Sequence, residues 1–148
     1  MTDATESVSR AIPSARFHHV GVACRDLDAE ARAFALLGYR QEGERFIDDV
    51  QEIIGCFLAG PGPRLELLAP RGDHSPVRQW LARGVKFYHL AYETDSVPDA
   101  VAALKAERAV LVVPAVPAVA FGGREIAFLM LPGLILVELI QADRTRGP

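Results

Sequence analysis

The sequence predicts an α+β fold in which one βαβββ unit occurs twice. Two observations support this prediction. Strand-like and helix-like segments follow each other in the same order in both halves of the chain, and residues of the two halves align at a nearly constant offset. His19 aligns with His89, and Glu66 aligns with Glu138. The chain of 148 residues is long enough for two such modules around a shared core.

The first module covers residues 16–70 and is predicted to contain four strands and one helix. Its first segment, FHHVGVAC, has the length and composition of a strand. The next segment, DLDAEARAFALLGY, places apolar residues at helical spacing and ends near Gly38, a residue typical of helix ends. Three further strand-like segments follow: YRQEGERF, VQEIIGCFLAG and RLELLAP. A GPGP loop joins the last two of these segments.

The second module covers residues 86–141 and repeats this order after a linker over residues 71–85. The linker contains a short helix that is predicted to begin near Pro76, because proline is favoured at helix starts. KFYHLAYE then predicts a strand and SVPDAVAALKAERA a helix. Three strand candidates complete the module: VLVVPAVPAV, REIAFLMLP and LILVELIQA. The prolines of the first candidate indicate a strand at the sheet edge, since proline cannot donate to a neighbouring strand.

Composition and charge are those of a soluble globular protein. The chain carries 16 basic and 19 acidic residues and a net charge of −3, which gives no basic surface for nucleic acid or an anionic membrane. The longest apolar stretch, residues 109–121, is too short to span a bilayer and contains two prolines. The cysteines, Cys24 and Cys56, form no CxxC pair, which favours a reduced, cytoplasmic protein.

The two ends of the chain are expected to lie outside the folded domain. Residues 1–15 lack the apolar h-region of a secretory signal and predict a disordered tail. Residues 142–148 follow the last predicted strand and form a second tail. We therefore expect a single domain over residues 16–141.

Each module combines a histidine on its first strand, His19 or His89, with a glutamate on its last strand. The glutamates, Glu66 and Glu138, lie within the apolar segments LELL and VELI, where a lone buried carboxylate is costly. A divalent cation held by two imidazoles and two carboxylates explains both pairs, because Co²⁺, Zn²⁺, Ni²⁺ and Mn²⁺ accept such mixed ligands. No phosphate-binding glycine motif, nucleophile elbow or HExxH sequence indicates another kind of site.

The second histidine of FHHVGV, His18, aligns with Tyr88 in the second module. Neighbouring side chains on a strand point to opposite faces of the sheet. We therefore expect His18 and Tyr88 to lie on the face opposite the histidine–glutamate site. His74 lies in the linker and is expected at the surface.

Five segments identify the family that the chain resembles: HHVGVACRDLDA, LELLAPRGDHSPVRQWL, YHLAYETDSVPDAVAALKA, FGGREIAFL and LVELIQ. They resemble the vicinal oxygen chelate superfamily of glyoxalases, bleomycin resistance proteins and dioxygenases and, within it, most closely the methylmalonyl-CoA epimerases. The resemblance implies that the two modules form an open, barrel-like sheet of eight strands around a metal site. Carried over by position, the metal ligands are His19, Glu66, His89 and Glu138.

The resemblance also implies an epimerase or isomerase that removes the α-proton of an acyl thioester, such as methylmalonyl-CoA, through a metal-stabilised enolate. Glu138 matches one of the two carboxylates that move this proton in such enzymes. Glu52, on the third strand of the first module, is the candidate for the second carboxylate, with Glu44 and Asp49 as alternatives. Four cations are candidates for contacts with a CoA tail: Arg71, Arg78, Lys86 and Arg124.

Two other functions stay open at this point. One is another metal-dependent lyase or isomerase of the superfamily that acts on a biosynthetic intermediate, and the other is a metal-free protein that sequesters a small molecule. All four ligand positions are retained, which favours an enzyme. The apolar segment VLVVPAVPAVAFGG indicates a different or bulkier acyl group. Homodimers are common among the relatives, so a homodimer is a further expectation.

Overall fold

Residues 10–144 are described by the computed structural model, and they form the two predicted modules. The first contains β1 (Arg16–Ala23), α1 (Leu27–Ala35), β2 (Arg40–Asp48), β3 (Ile53–Ala59) and β4 (Leu65–Pro70). The linker helix is α2 (Val77–Ala82). The second contains β5 (Phe87–Thr94), α3 (Val97–Ala106), β6 (Val110–Pro117), a 3₁₀ turn (Val119–Phe121), β7 (Glu125–Leu131) and β8 (Ile135–Gln141). The prediction of two βαβββ modules is confirmed.

The eight strands form one open sheet in the order β2-β3-β4-β1-β5-β8-β7-β6. In each module the first and last strands pair in parallel, whereas the other neighbours are antiparallel. The modules join through the antiparallel pair β1–β5. β6, which contains Pro114 and Pro117, is an edge strand as predicted.

Helices α1 and α3 cover one face of the sheet. Leu65 and Leu67 of β4 belong to the buried core that Leu27 of α1 completes, and Val137 and Leu139 of β8 pack with α3 in the same way. Side chains alternate along a strand, so the residue between each of these pairs must point to the opposite face. We call this opposite face the inner face; it carries the two glutamates that were singled out from the sequence.

The two helices begin at side-chain caps. Asp26 accepts a hydrogen bond from the Ala29 backbone N–H (2.9 Å), and Ser96 accepts one from that of Asp99 (3.2 Å). Each cap satisfies a donor that would otherwise lack a partner at the helix start. The order and spacing of strand, cap and helix therefore repeat in both modules.

A matching β-bulge interrupts β1 and β5. Phe17 pairs with Tyr92 and His19 with Ala91, so that His18 is an extra residue in β1. The pairing then runs from Gly21–His89 to Val22–Phe87, and Tyr88 is the extra residue in β5. Bulges redirect side chains and break the alternation of a regular strand. They occur here at equivalent positions, beside the two predicted histidine ligands.

Asp48, at the end of β2, connects the two edges of the sheet. Its buried carboxylate accepts hydrogen bonds from the backbone N–H groups of Val50 (3.1 Å) and Gln51 (3.0 Å), and from the Gln51 side chain (2.9 Å). It also accepts one from the Val119 N–H (3.2 Å), in the 3₁₀ turn after β6. One side chain thus holds the β2–β3 turn against the second module.

Parts of the predicted tails lie outside the described residues, namely 1–9 and 145–148. Within residues 10–15, Ile12 packs against the core of the second module and the Ser14 hydroxyl lies 3.2 Å from that of Thr94. Among the helices of residues 10–144, none combines the length and the apolar character needed to cross a membrane.

Candidate metal centre and active site

Four buried side chains from the four central strands meet on the inner face of the sheet: His19, Glu66, His89 and Glu138. The two imidazole Nε2 atoms lie 3.1 Å apart. Glu66 Oε1 lies 3.3 Å from His19 Nε2 and 3.7 Å from His89 Nε2. Glu138 Oε2 lies 3.4 Å and 3.0 Å from the same two nitrogens. We call these four residues the tetrad.

Gly21 makes room for the tetrad. It lies opposite His89 in the β1–β5 pair, and a Cβ atom at this position would stand 2.0 Å from His89 Cε1 and 2.2 Å from Nδ1. Both distances are far below van der Waals contact. Only glycine at position 21 therefore allows the His89 ring to lie where it does.

Charges within the tetrad shift the pKa values of two of its members, His19 and Glu138. Burial alone would lower the pKa of His19, but the carboxylates of Glu66 and Glu138 outweigh burial and raise this pKa to about 9. Burial alone would raise the pKa of Glu138, but its contacts with His19 and His89 lower it to about 2. Without a cation, the tetrad therefore holds a proton on His19 at neutral pH.

The donor set fits a divalent cation. Two atoms bound to one ion at about 2.1 Å lie roughly 3 to 3.5 Å apart, which is close to the spacing of the tetrad atoms. Glu138 Oε2 is buried and, among the described residues, accepts no hydrogen bond of suitable geometry. Such an orphaned carboxylate oxygen beside two facing imidazole nitrogens is the arrangement that a cation satisfies. Two nitrogens and two oxygens are available to hold it.

His18 does not lie on the opposite face, and the prediction from strand alternation was wrong. The bulge in β1 turns its ring toward the tetrad, and its Nδ1 lies 2.8 Å from Nδ1 of His19. The ring is in edge contact with Phe57 and Phe121. Burial, reinforced by the charges of His19 and Arg64, lowers the pKa of His18 to about 4, so that it is neutral at pH 7.

Tyr88 also lies beside the tetrad rather than away from it. Its ring stacks on Trp80 and meets His89 edge-on, with ring centroids 4.6 Å apart. Burial raises its pKa well above the usual value, so the phenol is neutral. Tyr88 occupies the position of His18 in the other module, but it forms part of a cavity wall.

The tetrad opens into an apolar cavity of about 640 Å³. Glu66 and Glu138 form part of its wall, and β6 contributes the continuous segment 112–116. Trp80 and Tyr88 form another part of the wall. Part of the apolar segment that was singled out from the sequence therefore faces this cavity.

Glu52 lines the same cavity but does not lie on a strand. It is the last residue of the turn between β2 and β3, with a φ of 52°, so the predicted placement on the third strand was wrong. Its carboxylate lies against Gly72, where an added Cβ would be 2.0 Å from Oε1. Of the two alternatives, Glu44 is exposed on β2, whereas Asp49 is exposed and pairs with Arg71 (3.2 Å). Neither alternative lines the cavity.

The four candidate cations do not converge on the apolar cavity. Arg71 pairs with Asp49, Arg78 donates to the Gly72 carbonyl (2.7 Å), and Lys86 pairs with Glu30 (2.6 Å). Arg124 donates to Glu93 (3.3 Å) and lines a second, more polar cavity of about 950 Å³ together with His18. Their contact with a CoA tail stays a prediction.

Arg83 and His74 line the apolar cavity instead. His74 is exposed, as expected, and lies at the edge of the cavity. The Arg83 guanidinium lies over the Trp80 ring, 5.8 Å from its centroid. Arg83 was not among the candidates from the sequence, although it directly follows the linker helix, three residues after Trp80, a spacing that brings side chains together.

Comparison with known proteins places this site in a family. The sequence profile of the Glyoxalase/Bleomycin resistance protein/Dioxygenase superfamily matches residues 18–128. A curated relative, the ethylmalonyl-CoA/methylmalonyl-CoA epimerase of Cereibacter sphaeroides, is 26% identical over 116 residues, which are 77% of this chain and 87% of the relative.

Solved structures of methylmalonyl-CoA epimerases share the fold of this chain. Methylmalonyl-CoA epimerase from Mycobacterium tuberculosis superimposes with a TM-score of 0.73 at 28% identity, covering 87% of this chain and 89% of the other. A variant of Streptomyces coelicolor methylmalonyl-CoA epimerase, in complex with 2-nitronate-propionyl-CoA, gives a TM-score of 0.74 at 26% identity, covering 90% and 98%. The chain described here belongs to the glyoxalase/bleomycin resistance protein/dioxygenase superfamily, also called the vicinal oxygen chelate superfamily.

Proposed function

We propose that this protein is a metal-dependent epimerase that moves the α-proton of an acyl-CoA thioester of the methylmalonyl-CoA type. One observation carries the proposal: Glu138, a member of the tetrad, opens into the same apolar cavity as Glu52, a carboxylate outside the tetrad. The relatives named above are epimerases of methylmalonyl-CoA or ethylmalonyl-CoA, and one of them holds an acyl-CoA analogue. These names support the choice of substrate class.

The two carboxylates come from different modules, Glu52 from the β2–β3 turn and Glu138 from β8. Inversion of a carbon centre requires one group to remove a proton and another to return one from the opposite side. We assign removal and return to these two residues. When bound by the tetrad, a divalent cation would supply Lewis-acid stabilisation of negative charge on the substrate oxygens.

The apolar wall of the cavity serves the same chemistry. Apolar side chains of β6 and β7, together with Trp80, line the cavity beside the carboxylates. In such an environment, electrostatic interactions between fixed charges and a developing anion are stronger than in water. The wall also provides an apolar surface for the acyl substituent of the substrate.

The direct test is α-proton exchange. Metal-loaded protein is incubated with methylmalonyl-CoA in D₂O, and deuterium uptake at the α-carbon is followed by mass spectrometry. We expect uptake with wild-type protein and inversion of the labelled centre. Absence of exchange with bound metal would overturn the epimerase proposal for this substrate.

Glu52→Gln tests the second carboxylate. The amide keeps the size of the side chain against Gly72 but cannot accept a proton, so we expect inversion to fall by at least about 100-fold. Metal content, measured by atomic emission, should be unchanged. Glu44→Gln is the matched control, since Glu44 is exposed on β2. Equal loss in both variants, or no loss in Glu52→Gln, would contradict the assignment.

A second candidate function is a metal-dependent lyase or isomerase that acts on another small molecule. The wall segment 112–116 favours it, because five consecutive residues of that segment, mostly valines, line the cavity and suit an apolar group larger than methyl. Bound metal without exchange on methylmalonyl-CoA or ethylmalonyl-CoA would point to this candidate.

A further inference from the structure

His18 contacts the tetrad from the side away from the apolar cavity. Its Nδ1 lies 2.8 Å from His19 Nδ1, within hydrogen-bond distance, whereas His19 Nε2 faces the other three members of the tetrad. The His18 ring is held between Phe57 and Phe121, and His19 contacts the same two rings. On the side of His19 away from the other tetrad members, the ring is therefore held by two aromatic contacts and by one polar contact, with His18.

We propose that His18 is a positioning residue that fixes the tautomer and ring orientation of His19 for metal binding. The inference rests on the proposed role of the tetrad. In a hydrogen bond between two neutral imidazoles, one Nδ1 must donate and the other must accept. A metal-binding His19 has its lone pair on Nε2 and its proton on Nδ1, so His19 donates and His18 accepts.

The surroundings of His18 Nε2 offer one group for each tautomer, a carboxylate and a guanidinium. An accepting Nδ1 leaves the His18 proton on Nε2, which lies 3.9 Å from Glu93 Oε1. Arg124 donates to the other oxygen of Glu93 at 3.3 Å and holds that carboxylate in place. A competing contact comes from Arg64, whose Nη1 lies 3.4 Å from His18 Nε2 and would favour the opposite tautomer. With the proton on His19 Nδ1, as metal binding at Nε2 requires, His18 Nδ1 accepts and His18 Nε2 carries the proton.

The second module lacks this support. His89 Nδ1 has no hydrogen-bond partner among the described residues, and Tyr88, at the position of His18, touches His89 only through its ring. The two histidines of the tetrad therefore differ in how they are held. Partners in the second shell of a metal ligand typically change metal affinity by 10- to 100-fold.

Two variants separate the hydrogen bond from ring packing. His18→Phe keeps an aromatic ring between Phe57 and Phe121 but removes the acceptor. His18→Asn removes the ring, yet its side-chain oxygen can occupy the place of Nδ1 and accept from His19. Tyr88→Phe is the matched control at the equivalent bulge, because it keeps the ring that touches His89.

The readout is Co²⁺ affinity, measured by competition with a chelator, together with the visible absorption of the bound Co²⁺. We expect His18→Phe to lose roughly 10- to 100-fold in affinity, with His18→Asn and Tyr88→Phe within about threefold of wild type. The thermal midpoint of each metal-free variant is recorded by circular dichroism, and an unchanged midpoint excludes loss of fold as the cause.

Wild-type affinity and spectrum in His18→Phe would overturn the inference, and so would equal losses in His18→Phe and His18→Asn, which would indicate packing alone. If the wild-type protein binds no Co²⁺, both the inference and the proposed metal site fail. If Co²⁺ binding behaves as expected but methylmalonyl-CoA shows no exchange, only the proposed substrate fails.

Discussion

At the scale of single residues, Gly21 determines whether His89 can reach the tetrad. The space that a Cβ atom would need at position 21 is filled by the His89 imidazole, 2.0 Å away. The ring belongs to a buried set of groups, so it cannot move aside without losing its contacts with Glu66 and Glu138. A single methyl group at this position is therefore incompatible with the tetrad geometry.

Gly21→Ala should lower Co²⁺ affinity by at least about tenfold, because the ligand nitrogen of His89 is displaced. It should also destabilise the protein by roughly 1 to 3 kcal/mol through overpacking. Chelator competition and urea unfolding measure the two effects.

Gly84→Ala is the control for stability. Gly84 has a φ of 70° and no atom near the position of a Cβ, so alanine there strains the backbone without touching the tetrad. It should cost stability and leave Co²⁺ affinity unchanged. Equal affinities of Gly21→Ala and wild type would show that the His89 ring is not held against Gly21.

At the scale of elements, Asp48 joins the β2–β3 turn to the 3₁₀ turn after β6. The first turn carries Glu52 and the second carries Phe121, so both walls of the cavity depend on one buried carboxylate. Backbone donors that lose this acceptor would remain partly buried and unsatisfied. The connection is formed between elements that are far apart in the sequence.

Asp48→Ala should lower the free energy of unfolding by roughly 2 to 4 kcal/mol, because several hydrogen bonds to a charged acceptor are lost. Urea unfolding at neutral pH measures the change. Asp49→Ala is the neighbouring control, since Asp49 is exposed and its ion pair with Arg71 contributes at most about 1 kcal/mol. Similar losses in the two variants would contradict the role of Asp48.

The order of elements and the composition of the tetrad could be predicted from the sequence, because both depend on local periodicity and on the internal repeat. Glu66 and Glu138 stand out since each interrupts an apolar strand. The orientation of His18 could not be predicted in this way. It depends on a bulge in the pairing of β1 with β5, and that register is set by contacts between distant parts of the chain. The placement of Glu52 was wrong for a similar reason, since the start of β3 is set by its pairing with β4.

At the scale of the whole molecule, the tetrad links the two modules, since each contributes one histidine and one glutamate. The modules otherwise meet mainly through β1 and β5. Charge in the tetrad should therefore affect the stability of the entire fold. The metal-free protein carries a proton on His19, whose pKa of about 9 lies above the value near 6.5 of an unfolded histidine.

A histidine whose pKa is raised by folding stabilises the fold fully below its unfolded pKa, and this contribution is lost as the pH rises through the folded pKa. The metal-free protein should accordingly lose at most about 3 kcal/mol of stability between pH 6.5 and 9. Urea unfolding across this range measures the loss. His19→Gln is the control and should show a flatter profile. A wild-type profile without this decline would contradict the assigned protonation.

The tetrad and the outer part of the cavity wall occupy different parts of the sheet. The tetrad lies on the four central strands, whereas Glu52 and the segment 112–116 belong to a turn and to the edge strand β6. Substitutions at the sheet edge can therefore reshape the cavity while the tetrad keeps its geometry. A fold arranged in this way can change the shape of its cavity by mutation without rebuilding the tetrad.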